Sequence, residues 1–363
     1  MTPVVLLGAT GFTGQLIASR LARAKIPFTA VGRDPGKLEA LVRGYKAKVP
    51  FRVADVLDPE SLRKAIPRGT KLVVNTVGPF CELGEPVVRA AIERKAHYLD
   101  TTGEQHFIRE SHWHFHDAAR AAKRLVVHAM AFEYALGDFA ARALAERLGG
   151  RIDLLEIFYF IPLFPPSRGT KRSMRAAMSM PVYGFEGGRL VEIRAGTFRK
   201  NLHLRAEDKP LSALSFPGGE IFTVPQHVDV RTIRQYMVMS ISAARLLYGT
   251  SPAVIRASSR SRAAEEASAA NGPTKAQREA NVFQLILEGT RAGRPETTMV
   301  LTGRDVYGLT ANLILHGVRA ILAGKARGVG VLSPAQVFPE KPVWSLLKRS
   351  GIDVRFEDRI FSS

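Results

Sequence analysis

Met-Thr-Pro-Val-Val-Leu-Leu-Gly-Ala-Thr-Gly-Phe-Thr-Gly, residues 1–14, is the stretch whose reading decides the fold. Pro3 to Leu7 is an almost wholly apolar run, the signature of a strand buried on both faces. Gly8, Gly11 and Gly14 follow at intervals of three, and Gln15 to Ala24 reads as a helix with Leu16, Ile17 and Leu21 on one side. Strand, glycine turn, helix is the context that makes a glycine pattern a nucleotide site. Gly8 lets the chain leave the strand sharply, Gly11 keeps side chains away from a pyrophosphate, and Gly14 lets helix and sheet approach. Uncapped N–H groups and the positive end of the helix dipole then face the phosphates. The spacing is GxxGxxG, a variant of the GxGxxG loop. It makes Gly8, Thr10, Gly11, Phe12, Thr13 and Gly14 candidate cofactor contacts.

Downstream, the rhythm continues. Phe28 to Gly32 is a second strand with Arg33 at its end, where the adenosine ribose of a dinucleotide lies. A carboxylate there accepts from the ribose 2′-hydroxyl of NAD, whereas Arg33 offers a cation to the 2′-phosphate of NADP. Asp34-Pro35 reads as an N-cap and first helical turn. Phe51 to Ala54 is a third strand closed by Asp55, which is either an acceptor for the adenine amino group or a turn residue. Leu72 to Phe80 runs from a fourth strand into Gly78-Pro79, and Asn75, Val77, Gly78 and Pro79 are placed beside the nicotinamide. A helix is expected from Gly84 to Arg94, and strands at His97–Leu99 and Leu125–His128. The strand-helix alternation predicts a parallel, doubly wound sheet.

The character changes near residue 150. Asp153 to Ile161 is β-rich, Ser167 to Arg175 is a basic loop and helix start, and Tyr183 to Arg194 reads as a hairpin about Gly187-Gly188. Met237 to Leu247 reads as a helix and Ala257 to Lys275 as a mobile loop. Phe283–Thr290 and Thr297–Leu301 read as an antiparallel pair, followed by a helix to Leu322. The tail from Gly328, with a helix to about Lys348 and the run Ile352-Asp353-Val354, is expected to return to the first domain. These readings divide the chain into 1–150, 151–324 and 325–363.

The totals set limits. The chain has 363 residues, 46% of them apolar, enough for a large core. A single cysteine, Cys81, excludes an intramolecular disulfide and a cysteine-cluster metal site. The start of the chain carries no basic leader and no apolar run is long enough to span a bilayer, so a cytoplasmic location is expected. His106, His112, His114 and His116 lie close together in sequence, but Trp113 and Phe115 alternate with them and no metalloenzyme spacing is present; an exposed helical face is expected, with no metal. The net charge of +19 is spread as +7, +8 and +4 over residues 1–150, 151–300 and 301–363. Spread charge attracts anions in general, such as phosphorylated cofactors, acidic carrier domains or anionic membrane surfaces. It provides no concentrated stripe or motif for specific nucleic-acid recognition.

Several stretches in order resemble the saccharopine dehydrogenase-like oxidoreductases, with a branch that includes trans-acting enoyl reductases of bacterial lipid synthesis. They are Gly8–Gly14, Val31-Gly32-Arg33, Asn75–Phe80, Gly84–Val88, His97–Glu104, Gly169-Thr170 with Ser173, Asp305–Ala311 and Gly330–Ala335. The resemblance implies an α/β Rossmann-type doubly wound sheet interrupted by an inserted α+β domain with an antiparallel sheet, and a site in the cleft between them. It departs from the family after the sixth strand. There Phe132-Glu133-Tyr134-Ala135-Leu136-Gly137-Asp138 stands where a Gly-, Asp- and Pro-rich turn is expected, bordering the substrate cleft.

Hydride transfer requires orientation and a proton source. None of the eight tyrosines has a lysine four residues on, which argues against the short-chain dehydrogenase mechanism. Tyr134 and Tyr307 are the candidate proton donors, with Asp138 and Asp305 to orient them. The expected function is NADP(H)-dependent reduction of a carbon–carbon double bond in an acyl, polyketide or lipid-like substrate, by a chain expected to self-associate. Arg168, Lys171, Arg172 and Arg175 are placed to receive an acidic acyl carrier domain. The alternative is a non-catalytic NADP-binding sensor or scaffold.

Overall fold

The computed structural model describes residues 2–162, 166–194, 196–202, 210–249, 272–292 and 294–357. Its first sheet is wholly parallel and has the order β15-β6-β5-β4-β1-β2-β3. The strands are β1 (Val4–Leu7), β2 (Phe28–Gly32), β3 (Phe51–Val53), β4 (Leu72–Asn75), β5 (His97–Asp100), β6 (Leu125–Val127) and, from the tail, β15 (Gly330–Leu332). Between the first six strands run α1 (Phe12–Arg23), α2 (Pro35–Arg43), α3 (Pro59–Ala65), α4 (Phe80–Glu93) and α5 (Gln105–Ala121). The chain reverses its direction of winding at β1 and β4, the switch point where such sheets bind ligands.

Alternation along β1 explains why both faces are covered. Val4 and Leu6 pack against Ile17, Ala18 and Leu21 of α1, while Val5 and Leu7 share the opposite cluster with Val87 and Val88 of α4. A strand buried on both sides needs no polar residue, and β1 has none. Asp34 caps α2 by accepting from Lys37 N at 3.0 Å, as its position before Pro35 predicts.

The second sheet is larger. It contains β7 (Ile152–Phe160), β8 (Val182–Glu186), β9 (Arg189–Ile193), β10 (Arg199–Leu202), β11 (Leu211–Ser215), β12 (Val230–Ser240), β13 (Val282–Arg291), β14 (Arg294–Arg304) and β16 (Asp353–Glu357). Its main path is β10-β11-β12-β7-β13-β14-β16, with the β8–β9 hairpin attached at β12. The expected antiparallel pairing prevails, with one parallel pair, β7 with β12, making the sheet mixed. The helix expected over Met237–Leu247 is corrected. Strand β12 continues to Ser240, pairing with both β7 and β11, and α9 (Ile241–Gly249) follows. The antiparallel pair expected after Phe283 forms, with Leu285 opposite Leu301. Residues 257–271 of the expected loop lie outside the described residues.

The remaining helices are α6 (Phe132–Leu148), α7 (Arg168–Met178), α8 (Glu220–Thr223), α10 (Lys275–Ala280), α11 (Val306–Leu322), α12 (Pro334–Val337) and α13 (Glu340–Arg349). Two of them cross the expected divisions. Helix α11 packs on α1, β4 and β5 of the first layer, while α6 packs on β13 and β14 of the second. The tail likewise serves both sheets. Its β15 joins β6, but β16, the run expected to return to the first domain, pairs with β14. Two helix starts are set by distant partners. Helix α4 begins at Phe80 rather than Gly84 because the distant Glu104 carboxylate accepts from Phe80 N at 2.8 Å and Cys81 N at 2.7 Å. Helix α6 begins at Phe132, whose N–H donates to Thr310 Oγ1 at 3.0 Å. Neither cap is local, so neither leaves a sequence signature. Among the described residues no helix is long and apolar enough to cross a membrane.

Helix α6 is buried around most of its circumference, and Phe132, Phe139 and Leu144 join one continuous core that includes Leu6 and Val74 of the first sheet and Leu285 and Leu287 of the second. Phe139→Ala therefore costs about 3–5 kcal/mol, the usual range for a buried aromatic. Denaturant unfolding followed by probes in both sheets should shift together; separate transitions would show that the sheets fold independently.

Candidate functional site

A cavity of about 2280 Å3 runs from the glycine loop to the face of the second sheet. At the loop, Gly8 adopts φ +75°, and a Cβ there would stand 2.5 Å from Thr76 Oγ1. A Cβ on Gly14 would stand 2.1 Å from the Gly8 carbonyl oxygen. Both contacts require glycine, and they bring the start of α1 directly over the end of β1. Gly11, the N-cap of α1, supplies no side-chain acceptor, so no side chain competes for the amides of the first turn. Thr76 Oγ1 donates to Leu7 O at 2.9 Å, tying the loop to the end of β4.

The expected cofactor contacts divide. Gly8, Thr10, Gly11, Phe12, Thr13, Gly14, Arg33, Asp55, Val77, Gly78 and Pro79 all line this cavity. Arg33 is exposed at its rim, just past the end of β2. Asp55 lies farther out and its Oδ1 accepts from Leu57 N at 3.0 Å, so the carboxylate also holds its own turn. Asn75 is the correction. It is fully buried, donates to Tyr98 Oη at 3.0 Å and accepts from Val77 N at 3.0 Å. It shapes the Val77-Gly78-Pro79 turn from behind and does not line the cavity.

The expected catalytic residues fare differently. Tyr134 lines the cavity, but its hydroxyl donates toward Gly103 O at 2.9 Å and Pro217 O at 3.1 Å. Burial raises its pKa well above that of an ordinary tyrosine. Tyr307 Oη accepts from Ser167 N at 2.8 Å and shares a hydrogen with Thr170 Oγ1 at 3.0 Å, so it anchors the start of α7. Asp138 lies off the cavity. Its Oδ1 meets His227 Nε2 at 2.8 Å and its Oδ2 accepts from Ala335 N at 2.7 Å, leaving neither tyrosine for it to orient. Asp305 caps α11 through Gly308 N and pairs with both its oxygens on Arg278 Nη1, at 2.8 and 2.7 Å. Cys81 is half-buried, and desolvation with the Glu104 charge pushes its thiol up to about 12, the state of an unreactive packing residue.

The histidine stretch is only in part an exposed face. His112 and His116 meet with tilted rings, 4.8 Å between ring centres, Phe115 is buried, and Trp113 is exposed. Among the described residues no group of histidine, cysteine and carboxylate side chains could hold a metal ion.

Sequence reasoning missed two parts of the site. The first is the roof formed by α7. Its N-cap Ser167 accepts from Thr170 N, and the helix lies so close to the Gly78-Pro79 turn that a Cβ on Gly78 would stand 2.8 Å from Ser173 Oγ. The second is the corner made by Glu133 and Tyr159, both of which line the cavity. Gly137, in the stretch that departs from the family pattern, was the available signal for this corner. A Cβ there would stand 2.2 Å from Glu220 Oε1 and 2.9 Å from Tyr159 Oη.

The parallel sheet, the glycine cradle at its switch point and the cavity reaching a second sheet define a dinucleotide-binding fold with a second, mixed-sheet domain. Residues 4–127 match the family described as saccharopine dehydrogenase NADP binding domain. That match makes residues 4–127 similar to an NADP(H)-binding domain, and about half of the chain is similar to the saccharopine dehydrogenase-like oxidoreductases. One such protein from Mus musculus is 27% identical over 214 residues, covering 53% of this chain and 48% of the relative. A provisionally named trans-acting enoyl reductase from Mycobacterium tuberculosis is 34% identical over 185 residues, covering 48% of this chain and 44% of the relative. The matches thus span about half the length of these curated relatives. Apo saccharopine dehydrogenase (L-Glu forming) from Saccharomyces cerevisiae superposes over 100% of both chains with a TM-score of 0.65 at 15% identity, a likeness of fold.

The cradle fits NADP(H). The uncapped start of α1 suits a pyrophosphate, and Arg33 suits the 2′-phosphate. A charge-assisted contact of this kind contributes about 1.5–3 kcal/mol. Arg33→Ala is expected to weaken NADPH binding by roughly 10- to 100-fold while leaving NADH binding unchanged, as read by cofactor fluorescence. Equal losses for both cofactors would remove Arg33 as the 2′-phosphate ligand.

Proposed function

We propose that the protein is an NADPH-dependent reductase of the carbon–carbon double bond in a bulky acyl or lipid-like substrate. The observation that carries this reading is the extent and lining of the cavity. Pockets for drug-sized ligands are ~300–1,000 Å3. At about 2280 Å3 this one leaves room beyond a dinucleotide. That remainder, between α7 and the second sheet, is lined by Met174, Met180, Ile193, Leu214, Met237 and Met239. Methionine-rich walls adapt to long, irregular apolar groups. NADPH, when bound, supplies a hydride.

The chain's own residues supply the setting. Gly8, Gly11 and Gly14 admit the phosphates, Arg33 selects the 2′-phosphate, and the Val77-Gly78-Pro79 turn closes the inner end. The apolar walls exclude water from the place where charge develops. Arg172, exposed on α7 and lining the cavity, and the exposed Lys171 beside it suit an anionic tether such as a phosphopantetheine arm or an acidic carrier domain. The name carried by the mycobacterial relative supports the reaction class.

The test is a panel of enoyl thioesters of increasing chain length, assayed by NADPH oxidation. Long-chain substrates should be reduced, with kcat/KM rising with chain length until the chamber is filled. NADPH that binds but is never oxidised across enoyl and carbonyl substrates would instead support a non-catalytic NADP-binding protein.

A further inference from the structure

Glu133 stands in the first turn of α6 and lines the cavity, yet none of the cofactor-holding roles uses it. The residue keeps partial accessibility, as a group facing a deep cavity does. Desolvation there raises its carboxyl above the ordinary carboxylate range, and only its own backbone amide favours the charged form. Tyrosines surround it: Tyr134 on α6, Tyr159 on β7 and Tyr307 on α11 all feel its charge.

The turn that carries Glu133 is held from behind. Its backbone carbonyl accepts from the Tyr159 hydroxyl, and the same hydroxyl meets Glu220 Oε1. Gln235 Nε2 donates to the other Glu220 oxygen. A phenol has one hydrogen, and a backbone carbonyl can only accept. Both Tyr159 contacts are satisfied when Tyr159 donates to Glu133 O and a protonated Glu220 donates to Tyr159. Glu220 is completely buried, and desolvation pushes it up to about 8, which keeps it neutral near pH 7. Two glycines make the arrangement possible. A Cβ on Gly137 would strike Glu220 Oε1, and one on Gly218 would stand 2.1 Å from Gln235 Nε2.

We propose that Glu133 is the proton donor of the reduction, with Tyr159 and Glu220 as positioning residues that fix its turn. The inference rests on the reductase reading. The electron pair comes from a reduced nicotinamide. The chain's part is the proton: the Glu133 O–H bond breaks, and a bond forms from that hydrogen to the substrate atom left electron-rich. The resulting carboxylate is reprotonated by water when product leaves.

The acid must be protonated to act, so activity is present at low pH and lost as pH rises through the raised pKa of Glu133. Among the described residues, several titratable and charged groups face this corner, including the buried Glu104 at the start of α5, whose charge acts on Tyr134. Others are Tyr134 and the Asp138–His227 pair from α6 and the turn after α8, Tyr159 from β7, Glu220 from α8 and Tyr307 from α11. Arg168 opens α7 beside the Ser167 and Thr170 groups that hold Tyr307. Gln105 from α5 and Tyr183 from β8 bond each other at the outer side of α8.

Glu133→Gln keeps the shape and removes the acid. It should bind NADPH within about twofold of the parent and lose on the order of 10²–10⁴ in turnover, the range for general acid catalysis. Glu220→Gln and Tyr159→Phe should retain NADPH binding, lower turnover less, and shift the alkaline limb of the pH profile. An infrared difference spectrum between the parent and Glu133→Gln, recorded without cofactor, should contain a protonated carboxyl band above the normal carboxylate range. Parental turnover in Glu133→Gln, or a Glu133 that ionises in that spectrum no higher than an ordinary carboxylate, overturns the proposal. A parent protein that binds NADPH and reduces nothing overturns the reductase reading, and the proton-donor role with it; an active parent with an active Glu133→Gln overturns the proton-donor role alone.

Discussion

The structure depends on one shared helix. Helix α6 follows the sixth strand of the parallel sheet and lies under β13 and β14 of the mixed sheet, so its burial is common to both layers. A helix buried around most of its surface has little freedom to slide, because interiors pack at crystal-like density. Its first turn borders the cavity, and its later turns bury Phe139, Leu144 and Leu148. The apolar contacts that stabilise the molecule are thus the contacts that fix where Glu133 and Tyr134 stand relative to the glycine loop.

The polar groups inside this frame follow the same economy. Glu104 caps α4 from across a turn, Asp138 joins His227 to the backbone of α12, and Asn75 braces the turn at Val77. Each of these three side chains has partners that offset its desolvation. Glu220 differs. Among the described residues it meets a phenol and an amide but no cation, and neutrality accommodates it. A neutral acid behind a cavity-lining tyrosine gives the corner near Glu133 a polar support in otherwise apolar surroundings.

Much of the nucleotide half was legible in the sequence. Gly8 and Gly14 are required by contacts that any strand-turn-helix with this spacing makes, and Asp34-Pro35 marks a cap through purely local chemistry. The substrate half was less legible because its determinants are distant in sequence. Tyr159 meets Glu133 and Glu220 across 26 and 61 positions, and Phe132 finds its capping partner in Thr310 across 178. Periodicity also misled where one segment served two roles. Met237 to Met239 is apolar enough for a helix, yet it continues a strand paired on both sides. Tyr134 and Tyr307 were sound as tyrosines near the site, but their hydroxyls are committed to backbone and to Thr170, which only the packed structure reveals.

The central claim is that the cavity holds NADP(H) along the cradle and presents the nicotinamide to the chamber beside Glu133. A crystal structure with NADP+ bound tests it most directly. The account predicts the pyrophosphate over Gly11–Thr13, the 2′-phosphate at Arg33, and the nicotinamide ring at the inner end facing Glu133 and the methionine-lined chamber. A ring directed out of the cavity, or a dinucleotide bound elsewhere, would contradict it.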